Sequence, residues 1–329
     1  MKNFILFLAS LTLLPACSSS DNKRWISSQG AIWNTLYKAT YHADCDLSDS
    51  IVATLHDVEM SLSPFQSRSL ISRINRGETN SADQHLTRIF LASQRINALS
   101  GGMFDPTVAP LVNYWGFGYD SVKTSTPDSI MALVGISECR LTDTGIHKKH
   151  PQTEFNFSAI TKGYGCDAVG DMFRRNGCDN FLVEIGGEIC VSGHSPHGRP
   201  WRIMVDAPHE SNDRIVHDEM MTISATDCGI ATSGNYRNYR LTEAGKLSHT
   251  ISPVTGRPVT LDAQNADTTV LSATVIANTA MEADALATAS MLLTPSAAEA
   301  MARSAGASRL ILAVSTATDS LLILDTCFQ

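Results

Sequence analysis

Phe155-Asn156-Phe157-Ser158-Ala159-Ile160-Thr161-Lys162-Gly163-Tyr164-Gly165 starts with the alternation of a strand and breaks into small residues. It then places a lysine beside two glycines at the mouth of a helix. Glycines let a backbone approach a ligand closely. A helix start offers free N–H groups and the positive end of a dipole, and Lys162 adds a full charge. Together they point to a site for a phosphorylated ligand, hence to an enzyme or cofactor binder rather than a scaffold. Thr161 reads as the cap of a helix running to Asn176, with Gly177 just past its end. Next come two apolar strands, Asn180 to Ile185 and Ile189 to Gly193, around Gly186-Gly187-Glu188.

Reading outward, Ile32 to Tyr41 alternates as a strand, and Ser48 to Ser61 sets Ile51, Leu55, Val58 and Leu62 on one helical face. A loop over Pro64 to Ser69 precedes an amphipathic helix from His85 to Ser100, closed by Gly101-Gly102. Asp128 to Gly135 reads as a short helix. Trp201 to Asp206, Met221 to Thr226 and Asp267 to Ile276 read as strands. Thr279-Ala280-Met281-Glu282 has the form of a capping box before an Ala-rich helix that stops near Pro295. A shorter helix and a hairpin, Leu310 to Val314 and Leu321 to Asp325, end the chain. Helices and strands are interspersed without regular βαβ alternation. The expectation is therefore an α+β fold: a single domain over residues 30–329, with a mixed or antiparallel sheet and packed helices.

The first residues do not belong to that fold. Lys2 and the apolar run Phe4 to Leu14 read as a signal peptide, too short to span a bilayer as a helix. Leu14-Pro15-Ala16-Cys17 resembles a lipobox, which makes Cys17 the candidate lipidated first residue after removal of residues 1–16. Residues 17–29 then read as a flexible polar leash. The alternative is an ordinary cleaved signal with Cys17 incidental. The expected location is the bacterial cell envelope, facing the periplasm. The formal net charge of −8 argues against nucleic-acid binding, which needs a basic patch. Eight cysteines are scattered without a C-x-x-C, so zinc and thioredoxin-like readings have no support. Most read as small buried hydrophobes.

Several motifs carry chemistry only in combination. Gly101-Gly102-Met103-Phe104-Asp105-Pro106-Thr107 suits either a turn or the wall of a planar-ligand pocket, and taken alone the turn is favoured. The aromatics of Tyr114-Trp115-Gly116-Phe117 read as core plugs. Asp284 and Thr288 lie four apart on one helical face, a carboxylate and a hydroxyl of the kind Mg²⁺ takes. The competing reading of Asp284 is a solvated charge near a helix N-terminus. His249 stands at a strand-to-turn junction as a candidate general base, whereas His194 and His197 flank Ser195-Pro196 on an exposed loop. No H-E-x-x-H, G-x-x-x-x-G-K-[ST], G-x-S-x-G or Rossmann glycine fingerprint occurs.

In order, these stretches resemble the ApbE family of FAD:protein FMN transferases. The match runs through Ser72-Arg73-Ile74-Asn75, Gly101 to Val108, Trp115-Gly116-Phe117-Gly118 and Phe157 to Gly163. It continues through Val183-Glu184-Ile185-Gly186-Gly187-Glu188, Ala231 to Asn238, Ser248-His249, Pro253-Val254-Thr255-Gly256 and Ala283 to Thr288. The resemblance implies a single α+β domain that binds FAD and Mg²⁺. Such an enzyme moves FMN onto a threonine or serine hydroxyl of an acceptor protein and releases AMP. It implies that Mg²⁺ is held by the Ala159 carbonyl, Asp284 and Thr288. It places FAD contacts on Trp33, Phe65, Met103, Phe104, Asp105, Asn156, Lys162 and Ile251, and the base at His249. The implied partner is an exported acceptor flavoprotein of a redox-driven ion pump or electron-transfer chain. Trp33-Asn34-Thr35 stands where the family usually has Met-Gly-Thr, and Asn156, Asn235 and Ser252 stand where it usually has Asp. Two other activities fit the same motifs: hydrolysis of FAD to FMN and AMP, and non-catalytic flavin binding by a periplasmic lipoprotein.

Overall fold

The helix read from Thr161 begins at Ser158 in the computed structural model, which describes residues 22–118, 126–208, 218–235, 239–242, 245–260, 269–315 and 321–328. Asn156 Oδ1 accepts the Ser158 N–H at 2.9 Å, and the Phe157 carbonyl accepts the Ile160 and Thr161 N–H groups. The Thr161 hydroxyl donates to that same carbonyl at 2.8 Å, so Thr161 lies inside the first turn and is not the cap. Lys162 and Gly163 are consequently within the helix rather than at its mouth.

In chain order the strands are β1 (Arg24–Ile32), β2 (Thr35–Ala43), β3 (Arg140–Thr142), β4 (Gly145–His147), β5 (Phe181–Ile185), β6 (Glu188–Ser192), β7 (Trp201–Asp206) and β8 (Glu219–Ala225). They continue as β9 (Cys228–Gly234), β10 (Tyr239–Thr242), β11 (Gly245–Ile251), β12 (Pro258–Thr260), β13 (Val270–Ala277), β14 (Arg309–Ser315) and β15 (Leu321–Cys327). The helices are α1 (Ser48–Leu62), α2 (Leu70–Asn75), α3 (Gln84–Leu99), α4 (Ala109–Tyr114), α5 (Pro127–Met131), α6 (Ser158–Arg175), α7 (Ala280–Ser290) and α8 (Pro295–Ala305). Eight strands form one sheet in the order β1-β2-β5-β6-β9-β13-β14-β15, and every neighbouring pair is antiparallel. The α+β expectation holds, and its sheet is antiparallel rather than mixed.

Each face of the sheet has its own cover. On one, Tyr41, Val183, Ile185 and Cys190 pack against Cys166, Val169 and Phe173 of α6, while Ala231, Ala273 and Val275 join the core that holds α7. On the other, Val191, Ile230, Ile276 and Ile311 pack under the β7–β8 hairpin through Trp201, Ile203 and Ile223. Strand alternation produces this division, since successive side chains point to opposite faces. The first strand expected, Ile32 to Tyr41, is instead the junction of two. Trp33 and Asn34 both have positive φ and make the turn of a β1–β2 hairpin. Arg24 to Gln29, expected in the leash, are therefore sheet, whereas the signal peptide and Cys17 lie outside the described residues. Among the described residues no helix is long and apolar enough to cross a membrane. The seven described cysteines are all free, and Cys139, Cys166, Cys178 and Cys190 are buried.

The crossing of α6 and α7 brings the polar side chains of the two helices together. A Cβ on Gly163 would lie 2.2 Å from the Ala280 carbonyl oxygen, so only glycine lets the two backbones meet here. The Asp167 carboxylate accepts the Ala280 and Met281 N–H groups at 2.9 and 2.8 Å, capping α7 from α6. Thr279 accepts the Glu282 N–H at 3.2 Å as expected. Glu282, however, pairs with Arg95 of α3, so the box is not reciprocal.

Candidate active site

Asp284 is buried, which overturns its reading as a solvated charge. Its Oδ2 accepts the Gly163 N–H at 3.0 Å. One turn further along α7, the Thr288 hydroxyl lies 3.5 Å from the Ala159 carbonyl oxygen and 3.3 Å from the hydroxyl of Ser233 on β9. The first turn of α6, the third turn of α7 and the end of β9 thus converge on one point. Burial raises the Asp284 carboxyl above the ordinary carboxylate range, opposed by the Lys162 charge and the Gly163 N–H.

Lys162 directly precedes Gly163 on α6 and pairs with Glu188, the first residue of β6. Burial works against the ammonium, yet Glu188 and Asp284 outweigh it and hold Lys162 above its usual range. Burial also lifts the Glu188 carboxyl to about 7, against the pull of Lys162. The Lys162 side chain keeps 35% of its surface exposed, while Glu188 keeps 4%. The lysine thus keeps part of its side chain open while the carboxylate that holds its tip is buried.

The Asn156 N–H donates to the Pro106 carbonyl at 2.8 Å, which sets the Met103-Phe104-Asp105 loop beside the start of α6. Asn75 holds the segment before α6, which is not a strand despite its alternating sequence, donating to the Phe155 carbonyl and accepting the Phe155 N–H, both at 2.9 Å. Met103 is half-buried and Phe104 buried. The Asp105 carboxylate accepts from the Thr107 N–H and hydroxyl, the Ile136 N–H and the Asn97 amide. Those bonds serve the turn favoured for this loop, whose Gly101 and Gly102 have positive φ. Trp33 lies over α6, where a Cβ on Gly165 would come within 2.6 Å of its indole. Phe65, on the loop between α1 and α2, is 61% exposed.

His249 and Ile251 come from β11, in the small β10-β11-β12 sheet. His249 is exposed and Ile251 buried against Leu111 and Ile130. Trp115, read as a core plug, packs in this same cluster and donates its indole N–H to the Gly256 carbonyl at 2.8 Å. The Thr250 hydroxyl donates to Asn235 Oδ1 at 2.7 Å. Asn235 follows β9 directly, two residues past Ser233, so β9 links the Thr288 end of the site to the strand that bears His249.

The oxygens at Ala159, Asp284 and Thr288 suit a hard divalent cation, and the set carries one formal charge. Among the described residues no three His, Cys, Asp or Glu side chains come together to hold a metal. An ion here would rest on an oxygen-only set with a single carboxylate, the kind Mg²⁺ takes while keeping several waters. Sequence reading missed the partners in this site. Ser233 and Glu188 lay inside quoted motifs, but nothing in their spacing indicated that they touch Thr288 and Lys162.

The model of the ApbE family matches residues 33–311. The chain belongs to the ApbE family. Its curated relatives include the FAD:protein FMN transferase of Vibrio cholerae serotype O1, 34% identical over 308 residues, covering 89% of this chain and 88% of that one. The Haemophilus influenzae FAD:protein FMN transferase is 32% identical over 312 residues, covering 88% and 86%. The solved flavin transferase ApbE from Vibrio cholerae superimposes with a TM-score of 0.79 at 29% identity, over 92% of this chain and 97% of that one. The antiparallel sheet and its crossed helices α6 and α7 are thus those of an ApbE family member.

Proposed function

We infer that the chain is an FAD:protein FMN transferase, moving FMN from FAD onto a threonine or serine hydroxyl of an acceptor protein and releasing AMP. The observation that carries this reading is the convergence of Ala159, Asp284, Thr288 and Lys162 where α6 crosses α7. A pyrophosphate needs charge neutralisation in transfer, and one buried carboxylate with a nearby cation is a setting for it. The Ala159 carbonyl, Asp284 and Thr288 would hold Mg²⁺. When bound, that ion supplies Lewis-acid polarisation of phosphoryl oxygens.

The chain's own residues do the rest. Lys162 binds the pyrophosphate and orients it. The loop of Met103, Phe104 and Asp105, with Trp33, Phe65, Asn156 and Ile251, holds the rest of FAD. The acceptor hydroxyl attacks the FMN phosphorus. As the new O–P bond forms, the anhydride bond breaks, and AMP leaves with its electron pair. His249 takes the hydroxyl proton. The decisive measurement is the intact mass of an exported flavoprotein co-expressed with this enzyme. A gain of one esterified FMN on a threonine or serine is expected. AMP release from FAD without any mass gain would instead establish a hydrolase, and FAD binding without turnover a carrier.

The acceptor class follows from the same reading: an exported subunit of a redox-driven ion pump or electron-transfer chain, bearing a short Thr- or Ser-containing motif. The enzyme is placed in the cell envelope by lipidation at Cys17. Replacing Cys17 with alanine is expected to abolish labelling by a radioactive fatty acid and to move the protein from the membrane to the soluble fraction. Unchanged labelling of that variant would remove the anchor.

A further inference from the structure

We propose that Glu188 is a positioning residue for Lys162, aiming the ammonium so that phosphoryl transfer, rather than FAD capture, depends on their pairing. The inference rests on the reading of Lys162 as the cation that faces FAD.

Three observations lead to it. First, the pair is not accounted for by stability. Glu188 Oε1 takes Lys162, but Oε2 is buried and has no hydrogen-bond partner. Buried polar atoms are nearly always satisfied, and an exception calls for a reason, of which a catalytic role is one. A buried ion pair is itself weak evidence for stability, because apolar replacements of similar volume are often neutral or better.

Second, the backbone around the pair is shaped to deliver it. Gly186 and Gly187 have φ of +61° and +104° and make the β5–β6 turn that ends at Glu188. A Cβ on Gly186 would sit 2.9 Å from the Thr35 hydroxyl and 3.4 Å from Lys162 Cδ. The turn thus runs directly along the lysine stem, and the carboxylate after it meets the tip.

Third, Lys162 has a second anionic neighbour to choose from. Asp284 also pulls on its charge, and its carboxylate is bonded to the Gly163 N–H, one turn of α7 from the Ala159–Thr288 contact. Glu188 holds the ammonium to one side and leaves Asp284 to its own partners. Without that hold a flexible four-carbon stem has no fixed aim.

The test is a double-mutant cycle of Glu188→Gln and Lys162→Met, with the full chain, FAD, Mg²⁺ and an acceptor peptide. Single-turnover transfer at saturating FAD and FAD affinity from flavin fluorescence are measured separately. Glu188→Gln is expected to slow transfer roughly 10- to 100-fold, as a misplaced group does, with FAD affinity unchanged or tighter. Glu188→Asp should recover part of the rate. In the Lys162→Met background, Glu188→Gln should cost nothing more. Equal losses in both backgrounds would show that Glu188 acts independently of Lys162 and would overturn the proposal. So would wild-type transfer by Glu188→Gln while Lys162→Met is impaired. If Lys162→Met itself transfers flavin normally, the underlying reading of Lys162 fails instead. A merely structural role predicts a lower melting temperature and parallel losses in affinity and rate, and that outcome also rejects positioning.

Discussion

Replacing Asp284 with alanine is expected to reduce flavin transfer by about 1,000-fold, because the Mg²⁺ proposed for this site would contribute several kcal/mol to the transition state. Asp284 is the sole carboxylate in the Ala159, Asp284 and Thr288 set. Its loss leaves two neutral oxygens, too weak for a divalent ion. The fold should survive. Asp284→Ala frees one buried N–H, that of Gly163, at about 1–3 kcal/mol, and removes a carboxylate that burial already disfavours. Asp284→Asn separates charge from shape, since its amide oxygen can still accept the Gly163 N–H. That variant should keep the melting temperature and lose transfer, with the rate partly restored at high Mg²⁺. Intact-mass assays across a Mg²⁺ titration decide the matter, and undiminished transfer by the asparagine variant would refute the metal role.

The second large effect is expected at His249. Alanine there should slow transfer by ~10²- to 10⁴-fold, the range of a lost general base. FAD affinity should not change, because the imidazole acts on the acceptor hydroxyl and not on the pyrophosphate. Its exposed position on β11 makes a folding defect a poor alternative explanation. Stopped-flow binding beside single-turnover transfer tests both halves of the statement. A fall in affinity that accounts for the entire loss would assign His249 to binding instead of catalysis.

How far these residues were readable in the sequence depended on the range of the interaction involved. Helical faces are local, so the buried set Ile51, Leu55, Val58 and Leu62 was visible as a period. The shared face of Asp284 and Thr288 was legible for the same reason, although their burial was not. Burial came from β9 and α6, which are distant in the chain. The β1–β2 turn was missed because Trp33 and Asn34 adopt positive φ without a glycine, so alternation ran through them unmarked. The start of α6 was displaced because the helix is entered at Phe157, whose carbonyl already takes the Ile160 and Thr161 N–H groups, so Thr161 falls inside the first turn. Glu188 looked like turn punctuation after two glycines. Its pairing with Lys162 spans a helix and a strand, and no periodicity encodes it.

The two central helices hold each other through reciprocal carboxylates: Asp167 of α6 takes amides of α7, and Asp284 of α7 takes an amide of α6. The distance between the Ala159 carbonyl and the Thr288 hydroxyl is therefore set by bonds that no ion makes. In thermodynamic terms the cation proposed for this site would not need to order its own ligands, so its binding free energy would not be drawn down by folding as it is in small metal-dependent domains.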